Sequence, residues 1–463
     1  MQFFVANYFI LATLVFIGVF ASEEANDDEI KQLPGLKDNV TFRHFSGYLQ
    51  VSETHFLHYW FVESQYDLAN APLIFWYNGG PGCSSMEGLL HEMGPYQINS
   101  NGKTLRKNPN SWNNFASIVY IEAPAGVGYS YATDGNITTS DDLTTEENYE
   151  GIKQFFKKYP YFRNHSTFIM GESYGGIYVP LLTAKIIENQ TDFPINLGGM
   201  AIGNGLLNYK LNRETQLQFL YAHGMIDELK WNQFEKTCCN GCVETCDLGN
   251  ITLKCLNILD GGISNVNPYD IYGKCEGSNK KFDLMEGILI QDLLLSSSQR
   301  YLKKSFSLKN EERNIIPCFN LTDITTYMNL PYLRKALHIP ENLPKWEICN
   351  EKVHNSYNRQ YLDMTPFFKK VHKANVRVLL YYGDTDLMCN FMMGQKFAAQ
   401  LRFDLISNSQ AWEVNGQTAG FKTVYDNLAF TTIRGAGHMA PQYRAPETAK
   451  AVLHFVLNPH FDI

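Results

Sequence analysis

The sequence predicts a doubly wound α/β fold, a mostly parallel sheet with helices on both faces and one large helical insert. Three observations predict it. Six apolar runs, each ending in a glycine-bearing loop, read as strands buried on both faces. Helix-like stretches separate several of them, and strands that alternate with helices build a parallel sheet. Over residues 206–325 the alternation stops, helix-like pieces follow one another, and most of the cysteines gather.

Each element follows in chain order. The N-terminus, "MQFFVANYFILATLVFIGVFASEEA", is almost wholly apolar from Phe9 to Phe20 and ends in small residues. It reads as a signal peptide spanning 1–21, although its first residues lack Lys and Arg. The apolar run is short for a membrane span, so no membrane association is expected after cleavage. The first core part, 22–205, carries "PLIFWYNGG", "FASIVYIEAPAG", "STFIMGES" and "LGGMAIGNG" as strands, with helices over Glu146–Tyr159 and Ile177–Glu188. The insert, 206–325, reads as a cap. Within it Ser296 to Asn314 is polar and holds five Lys/Arg, a candidate for proteolytic nicking. The second core part, 326–463, carries "VRVLLYYGDTD" and "LAFTTIRGAGH". Ligands of such sheets bind beyond the carboxyl ends of the strands, where the glycine-bearing loops lie.

A net charge of −8 gives a nucleic-acid partner no electrostatic support. Six Asn-x-Ser/Thr sequons, at Asn39, Asn136, Asn164, Asn189, Asn250 and Asn320, follow the signal peptide and point to a secretory glycoprotein. Ten cysteines in an oxidising compartment default to disulfides. The Cys238–Cys255 cluster contains a CxxC that could hold zinc, but no histidine lies within it, so no metal is expected.

In "STFIMGESYGGIYVP", Ser173 stands between Gly171 and Gly175 where a strand meets a helix. Gly-x-Ser-x-Gly in that context is a nucleophile elbow, which lifts a serine hydroxyl above the sheet. Serine needs a base, and the base an orienter, in the chain order Ser, acid, His. His438 in "IRGAGHMAP" supplies the base. Asp384 and Asp386 in "LLYYGDTDLMCN" both supply an acid, and residue types alone do not choose between them.

"WYNGGPGCSS", "GESYGG", "GDTDLMCN" and "GAGHMAP" resemble the serine carboxypeptidase family, whose fold is the α/β-hydrolase fold. The likeness runs from about Phe42 to the C-terminus. The paired Cys238-Cys239 and "LPYLRKALHIPENLPKWEICN" narrow it to the cathepsin A branch. The resemblance implies Ser173 as nucleophile, His438 as base and then acid, and Asp386 as orienter. It implies Gly80 and Tyr174 N–H groups as the oxyanion hole. It implies Asn78, Glu172 and Glu92, with Trp76 beside them, as the group that holds a substrate's C-terminal carboxylate. A glutamate grips a carboxylate only when protonated, so acidic pH should favour binding. The bridges implied are Cys83–Cys349, Cys238–Cys255 and Cys275–Cys318, with Cys239 joined to Cys242 or Cys246. No cofactor is implied.

The leading expectation is a serine carboxypeptidase acting at acidic pH on peptides with a free C-terminal carboxylate. An esterase, amidase or acyltransferase could use the same triad. A homodimer and a protective role toward lysosomal glycosidases are suggested by resemblance only. Lysosome and secretion both fit the sequence.

Overall fold

The computed structural model describes residues 26–243, 246, 255, 258, 266–275, 318–458 and 460. The signal-peptide stretch, Asn250 and the Ser296–Asn314 stretch lie outside them.

The strands in chain order are β1 (His44–Gln50), β2 (His55–Val62), β3 (Leu73–Tyr77), β4 (Tyr96–Ile98), β5 (Leu105–Lys107), β6 (Ser117–Ile121), β7 (Tyr131–Ala132), β8 (Thr167–Glu172), β9 (Leu197–Gly203), β10 (Arg377–Gly383), β11 (Leu405–Val414), β12 (Gln417–Tyr425) and β13 (Leu428–Ile433). Eleven form one sheet in the order β1-β2-β6-β3-β8-β9-β10-β13-β12-β11, with β7 paired to β2. The six strands read from the sequence are its contiguous centre, β6-β3-β8-β9-β10-β13, and every pair among them is parallel. The flanks, β1-β2 and β12-β11, are antiparallel and were not read from the sequence.

The central strands are parallel because both of their faces are covered. All residues of β3, β6 and β8 are buried. Their side chains alternate between two cores: Phe75, Val119 and Ile169 join one, and Ile74, Trp76, Ile118 and Met170 join the other. On the first face lie α1 (Asp141–Lys158) and α2 (Gly175–Glu188), which pack on each other. The sequence reading began α1 five residues later; the Ser140 hydroxyl accepts from Leu143 N at 3.2 Å and starts the helix earlier. Asp141 and Asp142 in its first turn and Lys157 and Lys158 in its last suit the helix dipole.

The chain runs from β3 outward to β6, then returns past β3 to β8. That reversal is the switch point of a doubly wound sheet, and it opens a crevice at the ends of β3 and β8. Between β9 and β10 the chain adds α3 (Tyr209–Ala222) and α4 (Glu228–Cys238), which share a third apolar cluster with Leu387. Four disulfides join Cys83–Cys349, Cys238–Cys255, Cys239–Cys246 and Cys275–Cys318. Among the described residues no helix is long and apolar enough to cross a membrane.

Candidate active site

The site is assembled from the ends of adjacent central strands. After β8, Ser173 takes φ 61°, in the left-handed region that non-glycine residues seldom occupy. Neighbours hold it there: its N–H donates to Gly203 O at 3.2 Å, and its carbonyl accepts from Gly176 N and Leu206 N, both at 2.9 Å. Gly171 allows the turn, since a Cβ there would sit 2.5 Å from Tyr77 O. The Ser173 side chain is partly exposed at the start of α2.

After β13, His438 is buried, and its Nδ1 lies 2.7 Å from Asp386 Oδ2. Its Nε2 is buried with no hydrogen-bond partner among the described residues. After β10, Asp386 is fully buried and accepts on both oxygens. Asn204 Nδ2 at 3.0 Å and Cys389 N at 3.1 Å reach Oδ2, and Met388 N at 2.9 Å reaches Oδ1. Asp384 faces elsewhere, accepting Gly435 N at 2.6 Å. The geometry therefore separates two acids that residue type could not.

After β3, the loop Asn78-Gly79-Gly80 lies against the elbow. A Cβ on Gly79 would come within 2.3 Å of Tyr174 N, so only glycine allows the approach. Neither the Gly80 nor the Tyr174 backbone N–H donates to an acceptor among the described residues. Tyr174 is buried, and its hydroxyl donates to Asp141 at 2.9 Å.

Beside this loop is a buried acidic pair. Asn78 accepts from Trp76 Nε1 at 2.7 Å through its carbonyl oxygen. Its amide nitrogen reaches Glu92 and Glu172, each at 3.4 Å. Both carboxyl groups are buried around that one amide, and Oε2 of each has no hydrogen-bond partner among the described residues. Burial, reinforced by the charges of Glu92 and Glu87, holds Glu172 well above the usual carboxylate range. Burial and Glu87 lift Glu92 to about 7, against its bond to Asn78.

The serine carboxypeptidase family pattern matches residues 34–458. The lysosomal protective protein of Mus musculus is 39% identical over 439 residues, covering 91% of this chain and 92% of its own. The serine carboxypeptidase ctsa-4.1 of Caenorhabditis elegans is 35% identical over 449 residues, covering 94% of each chain.

The chain belongs to the serine carboxypeptidase family.

Among solved structures, the prohormone-processing carboxypeptidase Kex1ΔP of Saccharomyces cerevisiae superposes with a TM-score of 0.73 at 20% identity, covering 94% of this chain and 96% of its own. That likeness shows the α/β-hydrolase fold. As a serine carboxypeptidase, the chain is a hydrolase of peptides.

The structure brings together Ser173, Gly80, Tyr174, Trp76, Asn78, Glu92 and Glu172 around one crevice, and Asp386 with His438 at neighbouring strand ends. It also places beside these residues others that sequence reasoning missed. Glu87 is a third buried acid, raised by burial; its spacing ahead of Glu92 was the available signal. Asn204 follows β9, and the rule that sites lie at strand ends could have found it. Tyr269 had no signal. Its ring stands edge-on to His438 at 5.1 Å, and its carbonyl accepts His438 N at 2.7 Å. The same segment binds the acid loop, since Leu387 N donates to Pro268 O and Ile271 N to Thr385 O, both at 3.0 Å. Of the sequons, Asn39, Asn136, Asn164 and Asn320 are exposed, whereas Asn189 is half-buried, with Nδ2 donating to Lys185 O at 2.8 Å.

Proposed function

We propose that this serine carboxypeptidase removes C-terminal residues at acidic pH through an acyl-enzyme, with Ser173 as nucleophile, His438 as base and Asp386 as orienter. The observation that carries the triad is the His438 ring. One nitrogen is held by a fully buried carboxylate, and the other is buried with no partner. Asp386 fixes the tautomer and steadies the imidazolium formed when Ser173 attacks. The tetrahedral oxyanion is received by the Gly80 and Tyr174 N–H groups, each contributing roughly 10²–10³ in rate. His438 then protonates the leaving amine, and water hydrolyses the ester.

Asn78 and the protonated Glu172–Glu92 pair receive the substrate's C-terminal carboxylate. Two acids whose pKa values are raised by burial stay neutral in acid and can donate to an anion there. Once ionised they repel it.

The test is release of C-terminal amino acid at pH 5 from a blocked dipeptide and from its C-terminal amide, with Ser173→Ala as control. Release from the acid, little from the amide and none with the variant is expected. Equal cleavage of both would move carboxylate recognition off Glu172 and favour a general amidase.

The insert over 206–325, whose described part includes α3 and α4, acts as the cap that walls the substrate cleft. Entry to the secretory pathway is supported by the four disulfides and by likeness to a lysosomal relative. Delivery to the lysosome, a homodimer and protection of glycosidases rest on that likeness alone. Cell fractionation, light scattering and co-purification respectively test them.

A further inference from the structure

Glu122 follows β6 and takes no part in the chemistry proposed above, yet it is fully buried and its carboxylate collects four donors. Oε1 accepts from the Ser84 hydroxyl and from Trp346 Nε1 at 2.8 Å. Oε2 accepts from Tyr129 N and from His58 Nδ1, each at 2.8 Å. Gly128 makes the room, because a Cβ there would fall 1.8 Å from Oε1. His58 is fully buried as well. Its Nε2 meets Ser46 Oγ at 2.9 Å, and that hydroxyl spends its own hydrogen on Leu337 O at 2.9 Å. His58 thus links the Glu122 carboxylate to Ser46.

Two of the four donors flank the Cys83–Cys349 disulfide. Ser84 is next to Cys83, and Trp346 is three residues before Cys349. The same two segments are joined by Ser84 N to Ile348 O at 2.7 Å and Asn350 N to Gly82 O at 2.9 Å. Ser85 adds a parallel tie: its hydroxyl donates to Ile121 O at 2.6 Å and accepts Asn78 N at 3.1 Å. The loop so held carries the Gly80 N–H and Asn78.

We propose that Glu122 is a positioning residue of the carboxypeptidase reaction. Its carboxylate pins both sides of the Cys83–Cys349 bridge and thereby sets the Gly80 N–H against the elbow. This rests on the oxyanion role assigned to Gly80. Glutamine cannot take over. Each oxygen of Glu122 receives one donor that has no other state, Trp346 Nε1–H on one and Tyr129 N–H on the other. An amide NH2 would face a donor in either orientation. The loop must then shift, and an oxyanion donor displaced by a fraction of an ångström loses much of its effect.

The experiment compares Glu122→Gln and the milder Ser84→Ala with the parent. Active sites are counted with a fluorophosphonate that labels Ser173, and Ser173→Ala is the control. A kcat per titrated site lower by about 10- to 100-fold, with KM within about twofold, is expected, and phosphonylation should slow in parallel because it uses the same oxyanion donors. If Glu122→Gln does not fold, the kcat of Ser84→Ala decides. An unchanged kcat per titrated site, with only thermal stability reduced, overturns the proposal and leaves the triad reading intact. Activity or labelling in Ser173→Ala would overturn the triad reading itself, and this proposal with it.

Discussion

Glu172 and Glu92 are buried around one amide group, and Asn78 Nδ2 stands 3.4 Å from an oxygen of each. The pair must keep a proton to avoid two adjacent buried charges, and the first loss falls at about 7, where Glu92 stands. KM for a free-acid peptide should stay level from pH 4.5 to 6. It should climb above pH 7, approaching about tenfold per pH unit as the pair ionises. Glu172→Gln should raise KM at pH 5 and flatten the climb. A wild-type KM level to pH 8 would refute the assignment.

Folding stability should fall as pH rises from about 5 to 8. Glu63 is lifted to about 7 by burial, and so is Glu92. An acid whose folded pKa is raised binds its proton more tightly in the native state. Its contribution is complete below the unfolded value near 4.5 and is lost as pH passes the folded value. His44 acts in the opposite sense: burial holds it down to about 4, so its own contribution is lost as pH falls from 6.5 toward 4. Tm measured by calorimetry should peak near pH 5, and Glu63→Gln should shallow the alkaline slope.

Asp386→Asn and Asp384→Asn should separate cleanly. The first loses the anion that orients His438, and kcat should drop by about 10³–10⁴. The second disturbs a bond to Gly435 N at the edge of the same loop, and kcat should stay within about threefold. Equal losses in both would contradict the assignment.

Gly79→Ala should cut kcat by about 10² or more. Its Cβ would lie 2.3 Å from Tyr174 N, so the loop must retreat from the elbow and spoil the oxyanion geometry. Steady-state kinetics on protein whose circular dichroism matches the parent is the check.

Tyr269→Ala should lower kcat about tenfold, whereas Tyr269→Phe should not, because the contact with His438 is made by the ring edge. A loss in Tyr269→Phe would instead assign the work to the hydroxyl.

The centre of the sheet was legible because a strand covered on both faces is apolar throughout, as "LIFWY" and "SIVYI" are. The far flank was not. β11 is ten residues long and buries Trp412 alone, so its sequence carries neither a run nor an alternation. The elbow was readable because its demands are local: two glycines, a serine and a strand-to-helix turn. Tyr269 and Glu122 were not, because each earns its place from partners far along the chain. Glu122 and Trp346 are separated by 224 positions, and nothing in "YIEAP" announces the indole.

The contact between Asn204 and Asp386 joins residues 182 positions apart at neighbouring strand ends. The chain between them leaves the sheet after β9 and rejoins it at β10, so the excursion is tied shut at its base. Lengthening a closed excursion costs little, with the entropy growing only as the logarithm of its length. The knot at Asn204 thus lets the excursion vary away from the points where Tyr269, Trp346 and Cys349 brace the site. Between those points the stretch can be exchanged to retune which peptides are admitted, while the hydrolytic machinery beneath keeps its dimensions. A chimera that exchanges α4 with that of a relative should inherit the donor's side-chain preference and keep the recipient's pH profile.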